Sequence, residues 1–434
     1  MFTLAIVGFV MIFVFMYVVM TKKSTALVGL VLIPLCFAIA LGFGADLGPM
    51  ILDGLKKIAP IAIMNIFAIM FFGVMIDAGL FDRLVETIQK ATKGDPVRIL
   101  MGTSILAFCV SLDGDGTTTY MVTCTAMLPI IRHFKINPLM AATVALMPAS
   151  VTNLLPWGGP TARVMSILHL EPGDIFLPLI PAMAAAVIWS LFVAYYFGRK
   201  ERSRLGYSLT AAVSAHELAG KISMGDEKLK RPRLFWFNAA LTLLLLIGLI
   251  TDVMPLAVLF LIGTAVGLAV NYPDVKEQQA CISSRGQDII SVVAMLLAAG
   301  TLTGIMAGTK MIDNMAQLLI AIIPPEIGSH LGVVSALASL PLTFFLTNDA
   351  VYFGIMPVIV KTAAVYGITP AEIGRALLVG QPAHLLSPMV ASTYLLVNLT
   401  GVNYGEFQKF ALLWANGSSL VMLLVVLLMG LVPL

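Results

Sequence analysis

The sequence predicts an all-α, polytopic membrane protein made of two inverted-topology repeats. Of its 434 residues, 59% are hydrophobic and only 11% are charged, and the mean hydropathy is +0.98. Because a soluble globular protein carries about 25% charged residues, most of this chain is expected to lie in lipid. Apolar runs of about 20 residues, the length that crosses a bilayer as a helix, recur along the whole chain. The net charge of +3 gives no reason to expect a nucleic-acid partner.

The first repeat begins with plain spans and continues with interrupted ones. Residues 1–96 contain three apolar runs, at about 2–20, 25–43 and 59–80, and then the amphipathic stretch 81–94. That stretch is too polar to span, so we expect it to lie at the membrane interface.

The remainder of the first repeat, 97–198, has a different character. The stretch 97–132 is broken by Asp-Gly-Asp-Gly and 138–170 by NLLPWGGPT, and a plain span follows at 174–198. The only long polar segment of the chain, 199–233, comes next and is predicted to be a solvated cytoplasmic linker.

The second half repeats this order of elements. Residues 234–325 hold plain spans and an amphipathic piece, and 326–434 hold a stretch broken by Thr-Asn-Asp (331–362), one broken at HLLSP (372–398) and a last span (407–433). Since each repeat crosses the membrane an odd number of times, the second runs upside down relative to the first.

The distribution of basic residues predicts the orientation. The segments assigned to the cytoplasm hold 20 of the 26 lysines and arginines, as the positive-inside rule requires. These segments are 21–24, 81–98, 132–135, 199–233, 272–286 and 399–409. We therefore expect a multi-pass protein of the plasma membrane with both termini on the outer side.

Polar breaks in a helix at membrane depth cost free energy, because the backbone groups that lose their helical hydrogen bonds find no water in lipid. They persist where they line a wet cavity, and paired breaks in two repeats indicate a binding site. The arms beside 113–117 and 347–349 are too short to span alone, which predicts two re-entrant helical hairpins. The candidate binding residues at the four breaks are Asp113, Gly114, Asp115, Gly116, Thr117, Asn153, Gly158, Gly159, Thr161, Thr347, Asn348, Asp349, His384 and Ser387.

Other interpretations of Asp113–Thr117 fit less well. The pattern D-x-D-G-T resembles the nucleophile of haloacid-dehalogenase-type phosphatases, but no strand–helix alternation surrounds it. A calcium loop of the EF-hand type is excluded, since no acidic residue follows within twelve positions. A tight turn in an ordinary loop does not explain the second break at the matching place.

The carboxylates predict cation or proton chemistry. Asp113, Asp115 and Asp349 cannot all stay ionised close together unless a proton or a metal ion neutralises them. A divalent ion would take these three carboxylates as ligands. Asp115, Asp349 and His384 are the candidate proton carriers. Arg163 either binds a carboxylate or pairs with an aspartate.

Three segments carry a family resemblance. The opening MFTLAIVGFVMIFVFMYVVMTKKSTALVGLVLIP, the stretch FAIMFFGVMIDAGLFD and SLDGDGTTTY resemble the citrate–divalent-metal:proton symporters, over essentially the whole chain. That family lies within an ion-transporter superfamily that includes sodium-coupled dicarboxylate carriers, which have Ser-Asn-Thr at both hairpin tips. This chain has Asp-Gly-Asp-Gly-Thr and Thr-Asn-Asp instead.

The resemblance implies a bacterial secondary transporter that imports citrate bound to a divalent cation together with protons. The metal would be part of the substrate, and no separate cofactor is expected. A homodimer and an elevator motion are implied too, with 1–96 and 234–325 as scaffold and 97–198 and 326–434 as the moving transport part. A sodium-coupled carrier of a di- or tricarboxylate or another small organic anion is the alternative. An intramembrane protease and a channel are less consistent with the duplicated site.

Overall fold

The computed structural model describes residues 2–21, 23–206, 227–251 and 253–433. Within these ranges every regular element is helical and there is no strand. Six of the described helices are long and apolar enough to cross a membrane. The predicted linker, 199–233, falls largely outside the described residues, which resume at 227.

The helices before the linker include two pairs separated by short breaks. They are α1 (Phe2–Met20), α2 (Ala26–Ala40), α3 (Leu47–Asp77), α4 (Asp82–Thr92), α5 (Pro96–Val110), α6 (Gly116–His133), α7 (Pro138–Thr152), α8 (Gly159–Leu168) and α9 (Pro172–Leu205).

The helices after the linker also include broken stretches. They are α10 (Phe235–Thr251), α11 (Leu256–Asn271), α12 (Val275–Ser284), α13 (Gly286–Gly308), α14 (Met311–Ile322), α15 (Leu331–Phe345), a π-helical segment (Ala350–Ile355), α16 (Met356–Ala364), α17 (Pro370–Leu378), a turn of helix (Gln381–His384), α18 (Ala391–Thr400) and α19 (Tyr404–Leu428).

Two helices differ in length from the sequence prediction. α3 begins at Leu47 rather than near 59, because the polar residues there form a surface ion pair along the helix, Asp53 with Lys57 at 2.8 Å. α9 continues to Leu205, so 199–205 is helix and not linker. Basic residues in a last helical turn are favoured by the helix dipole.

The polar end of α9 is also tied to its neighbours. Arg202 donates from Nε to Asp95 at 3.0 Å, and Asp95 caps α5 by accepting from the amide of Val97. Glu201 accepts from Arg204 at 2.8 Å and from the amide of Asn137 at 2.9 Å. These contacts explain why a charged stretch stays folded.

The centre of the fold is the crossing of α3 and α13, where the two backbones touch. A Cβ atom on Gly54 would lie 2.0 Å from the carbonyl oxygen of Gly300, and one on Gly304 would lie 2.2 Å from that of Met50. Only glycine allows such an approach. α11 packs against the same helix α3, and α10 packs on α11.

The buried apolar side chains form two large clusters. One surrounds α5, α6 and α7 and includes residues from α18 and α19. The other includes α1, α3, α11, α13 and the helices α15 to α17. Trp157, in the α7–α8 break, belongs to this second cluster and packs against Phe72 and Phe260, with ring centroids 5.3 Å and 5.0 Å away.

Candidate functional site

A cavity of about 440 Å³ lies at the breaks and is walled by both halves of the chain. Its lining comes from the α5–α6 loop, the α7–α8 break, the loop after α15 and the turn before α18, and also from α3 and α13. The predicted binding residues that line it are Asp113, Gly114, Asp115, Gly116, Asn153, Gly159, Asn348 and His384.

The α5–α6 loop is shaped by its own carboxylates. Asp113 accepts from the backbone amide of Asp115 through Oδ1 at 2.9 Å, and Gly114 between them has a φ of +82°. Asp115 is the N-cap of α6 and accepts from the amides of Thr117 at 3.2 Å and Thr118 at 2.7 Å. Both carboxylate oxygens of Asp115 are thus engaged, whereas among the described residues Asp113 uses only Oδ1.

The α7–α8 break holds this loop in place. The indole Nε1 of Trp157 donates to the carbonyl of Leu112 at 2.9 Å, and a Cβ on Gly114 would lie 2.9 Å from the Trp157 ring. Thr152 donates to the hydroxyl of Ser111 at 2.5 Å. The two breaks of the first half therefore form one polar unit.

The loop after α15 carries the matching contacts in the second half. The hydroxyl of Thr347 accepts from the amide of Ala350 at 3.2 Å, at the start of the π-helical segment. Asp349 is 8% exposed, and its Oδ1 accepts from Nε of Arg163 on α8 at 2.8 Å. Of the two roles predicted for Arg163, the structure has the ion pair with an aspartate.

The side chain of Asn348 is oriented by Gln381. Gln381 is fully buried and donates from Nε2 to Oδ1 of Asn348 at 2.8 Å and to the hydroxyl of Tyr352 at 2.6 Å. Because the amide oxygen of Asn348 is engaged, its NH₂ group is the part left for the cavity. An amide NH₂ is a hydrogen-bond donor, which suits an anionic oxygen.

The tautomer of His384 follows from its neighbour. Its Nδ1 forms a short hydrogen bond with the carbonyl oxygen of Thr343, and that threonine donates its hydroxyl to the carbonyl of Gly380 at 3.1 Å. A carbonyl can only accept, so Nδ1 carries the proton and the neutral ring keeps a lone pair on Nε2. The cavity wall thus includes a nitrogen acceptor.

The other predicted residues stand outside the lining. Thr117 is exposed. Thr161 is buried and donates to the carbonyl of Leu154 at 2.7 Å, and Ser387 accepts from the amide of Met389 at 3.2 Å. Gly158 allows a close turn, since a Cβ there would lie 2.1 Å from the carbonyl oxygen of Asn153. None of these four residues lines the cavity, and neither do Thr347 and Asp349.

Sequence reasoning missed the wall formed by α3 and α13. Asn65, Arg285 and Asp288 line the cavity, and Arg285 pairs with Asp77, Nη2 to Oδ1 at 2.7 Å. A basic residue in a segment assigned to a cytoplasmic loop gives no signal that it faces a cavity. In the described part of the chain, no three His, Cys, Asp or Glu side chains are grouped to hold a metal ion by themselves.

Residues 11–380 match the family model described as citrate transporter. The chain belongs to the citrate transporter family. It is 50% identical over 430 residues to the citrate transporter of Bacillus subtilis (strain 168), covering 99% of both chains. It is 43% identical over 429 residues to the Mg(2+)/citrate complex secondary transporter of the same organism, covering 98% of both chains.

Two solved structures share the fold of this citrate transporter family member. They are the YdaH transporter of Alcanivorax borkumensis, with a TM-score of 0.62, 14% identity and 90% of each chain covered, and MtrF of Neisseria gonorrhoeae, with a TM-score of 0.58, 14% identity and 89% and 84% covered. At this identity the likeness shows the fold alone. The family and its relatives are transporters and not enzymes, and the apolar helices make this chain a multi-pass membrane protein.

Proposed function

We propose that this protein is a secondary active transporter that imports citrate complexed with a divalent cation of the Mg²⁺ or Ca²⁺ class, coupled to proton symport. Family membership supports citrate, and the relative named for the Mg(2+)/citrate complex supports the chelated form. The observation that carries the proposal is the common cavity, in which Asp113 of the first half and Asn348 of the second line one space. Its volume of about 440 Å³ is in the range of small-molecule sites.

The charges around the cavity favour a chelated substrate. Free citrate carries about three negative charges at neutral pH, and its complex with a divalent ion carries about one, so carboxylates in the wall repel the complex less. Among the described residues Oδ2 of Asp113 has no hydrogen-bond partner, so Asp113 is the carboxylate best placed to meet the metal ion. Asn153 and Asn348 would donate to citrate oxygens, as would the helix N-termini beside them.

Three residues are proposed to carry protons: Asp115, Asp349 and His384. The lone pair on Nε2 of His384 can accept a proton within the wall. Asp349 is held by Arg163, so its charge is balanced in the state described here. Protonation of Asp349 would release that guanidinium for a substrate carboxylate.

Alternating access is proposed to occur by an elevator motion in a homodimer. The two transport parts, 97–198 and 326–434, would move together against the scaffold parts, 1–96 and 234–325. The similar order of helices in the two halves supports an inverted repeat. The hydrogen bond of Thr152 to Ser111 joins the two breaks of the first half, which supports a transport part that moves as a unit.

The decisive experiment is uptake of labelled citrate into proteoliposomes. We expect uptake to require Mg²⁺ or Ca²⁺, to stop with EDTA, and to collapse with an uncoupler. Succinate serves as the matched control, since it lacks the third carboxylate and chelates weakly. Uptake that persists in EDTA and follows a sodium gradient would replace this proposal by the sodium-coupled carrier of a plain carboxylate.

A further inference from the structure

Arg285 is a second cationic group in the cavity wall, in addition to Arg163. It precedes α13 and lines the cavity with Asp288 and Ser291 of that helix. Its Nη2 donates to Oδ1 of Asp77 at 2.7 Å and to the carbonyl of Gly73 at 3.3 Å. In the described part of the chain, neither Nη1 nor Nε has a hydrogen-bond partner.

The wall around Arg285 is built to hold the side chain in this position. Nε is buried without a partner among the described residues, a costly arrangement for a donor. A Cβ on Gly73 would lie 2.6 Å from Nε, so glycine leaves room for the guanidinium to lie against α3. Because Nε lies against α3, the donor of Arg285 left for the cavity is Nη1.

The position of Arg285 places it at one end of the cavity. The α13 residues that line the cavity fall between 285 and 296, in the first half of that helix, and the α3 residues fall between 65 and 76, near its end. Both stretches lead to the membrane face that carries 81–98 and 272–286, which the positive-inside count assigns to the cytoplasm. Asp288, one turn on, is exposed.

We propose that Arg285 is an anion-binding residue at the cytoplasmic mouth of the cavity, held in place by Asp77 and used by a substrate carboxylate when the cavity is open on that side. The proposal rests on the proposed function, because it needs a polycarboxylate cargo. An arginine offers a planar set of donors that matches a carboxylate. Asp77 keeps the guanidinium in position through Nη2 without occupying Nη1.

Sided transport kinetics test this role. Right-side-out and everted membrane vesicles expose opposite faces of the protein to added magnesium citrate. We expect Arg285→Gln to raise the KM about tenfold or more on the cytoplasmic face, as loss of a charged hydrogen bond does, with less than about a twofold change on the other face. Arg285→Lys should restore part of the affinity, since it keeps the charge but loses the planar donors.

Two further variants separate binding from folding. Lys276→Gln removes a charge from the same segment, on an exposed residue outside the cavity, and should keep both KM values. Arg285→Gln combined with Asp77→Asn also removes the carboxylate that has lost its arginine, and it should still show the sided rise in KM. If the double variant recovers the wild-type KM, Arg285 only neutralises Asp77 and the proposal is overturned.

The other outcomes distinguish the role of Arg285 from the proposed function. An unchanged KM on both faces, or an equal rise on both, contradicts a binding role at one mouth. If the wild-type protein takes up no magnesium citrate in either type of vesicle, the proposed function itself fails. If the wild-type protein takes up magnesium citrate and the Arg285 variants keep the wild-type KM values, only the proposed role of Arg285 is rejected.

Discussion

Nε of Arg163 lies 2.8 Å from Oδ1 of Asp349, and this contact joins two chain breaks that are 186 residues apart in sequence. Arg163 belongs to α8 and also donates from Nη1 to the carbonyl of Gly159 at 2.8 Å, while its guanidinium stacks over the ring of Phe353. The side chains are 19% and 11% exposed. The halves of the protein are therefore connected at the cavity by a largely buried ion pair.

Breaking this pair should damage both stability and transport. Arg163→Gln and Asp349→Asn each leave one charge without its partner, which costs on the order of 3 kcal/mol at a buried site. We expect each single variant to lose citrate uptake and to melt at a lower temperature in detergent. The double variant should recover much of the melting temperature without recovering uptake.

An exposed ion pair provides the control for that experiment. Lys57 and Asp53 lie 2.8 Å apart with 46% and 61% of their side chains exposed, so Lys57→Gln should change the melting temperature little. Single variants of Arg163 and Asp349 that melt like the wild-type protein would contradict a stabilising role for their pair.

The two roles of Asp115 can be separated by the choice of substitution. Asparagine caps a helix about as well as aspartate, whereas alanine costs about 1 kcal/mol. Asp115→Asn should therefore keep the wild-type melting temperature but abolish uptake, because the titratable carboxylate is lost. Asp115→Ala should lose both. If Asp115→Asn transports normally, Asp115 acts only as the cap of α6.

Gln381 should act on substrate affinity through Asn348. In Gln381→Leu the amide of Asn348 loses the donor that orients it, and we expect the KM for magnesium citrate to rise about tenfold. Gln381→Glu should behave similarly, since a carboxylate cannot donate to Oδ1 of Asn348. Uptake at varied substrate concentration gives the KM.

A buried glutamine elsewhere serves as the matched control. Gln89 donates from Nε2 to the carbonyl of Ala126 at 2.9 Å and does not line the cavity. Gln89→Leu should lower the melting temperature and leave the KM unchanged. Equal KM values for the Gln381 and Gln89 variants would show that Gln381 has only a structural role.

The crossing of α3 and α13 should tolerate no side chain. Gly54→Ala and Gly304→Ala place a methyl group within about 2 Å of a backbone oxygen, so the helices must separate. We expect a destabilisation of about 1–3 kcal/mol, typical of overpacking, measured as a lower melting temperature. Gly48→Ala, on α3 with no atom within 4 Å of the added Cβ, should be neutral or slightly stabilising.

The sequence predicted the helical class and the membrane-spanning character because both follow from composition and from the length of the apolar runs. It also placed Asp113, Asn153, Asn348 and His384 at one site, since chain breaks at membrane depth need a common cavity. In the structure all four residues line the same cavity. The family resemblance was correct as well.

The contacts between distant residues could not be predicted in this way. Arg285 meets Asp77 across 208 positions, and nothing in either local sequence indicates the other. The π-helical segment 350–355 has no pattern of its own in the sequence. Helix ends were misplaced at α3 and α9, because charged residues near the membrane surface extend a helix when their partners lie on neighbouring turns or helices.

The glycine contacts between α3 and α13 also limit how the cavity can change shape. Because the two backbones are in direct contact, no side chains lie between them that could change rotamer to accommodate a shift. We therefore expect α3 and α13 to move as one rigid unit. Asn65 on α3 and Arg285 at the start of α13 belong to this rigid unit. In the proposed elevator motion, exposure of citrate to opposite sides of the bilayer would come from movement of the Asp113 and Asn348 loops past this fixed surface.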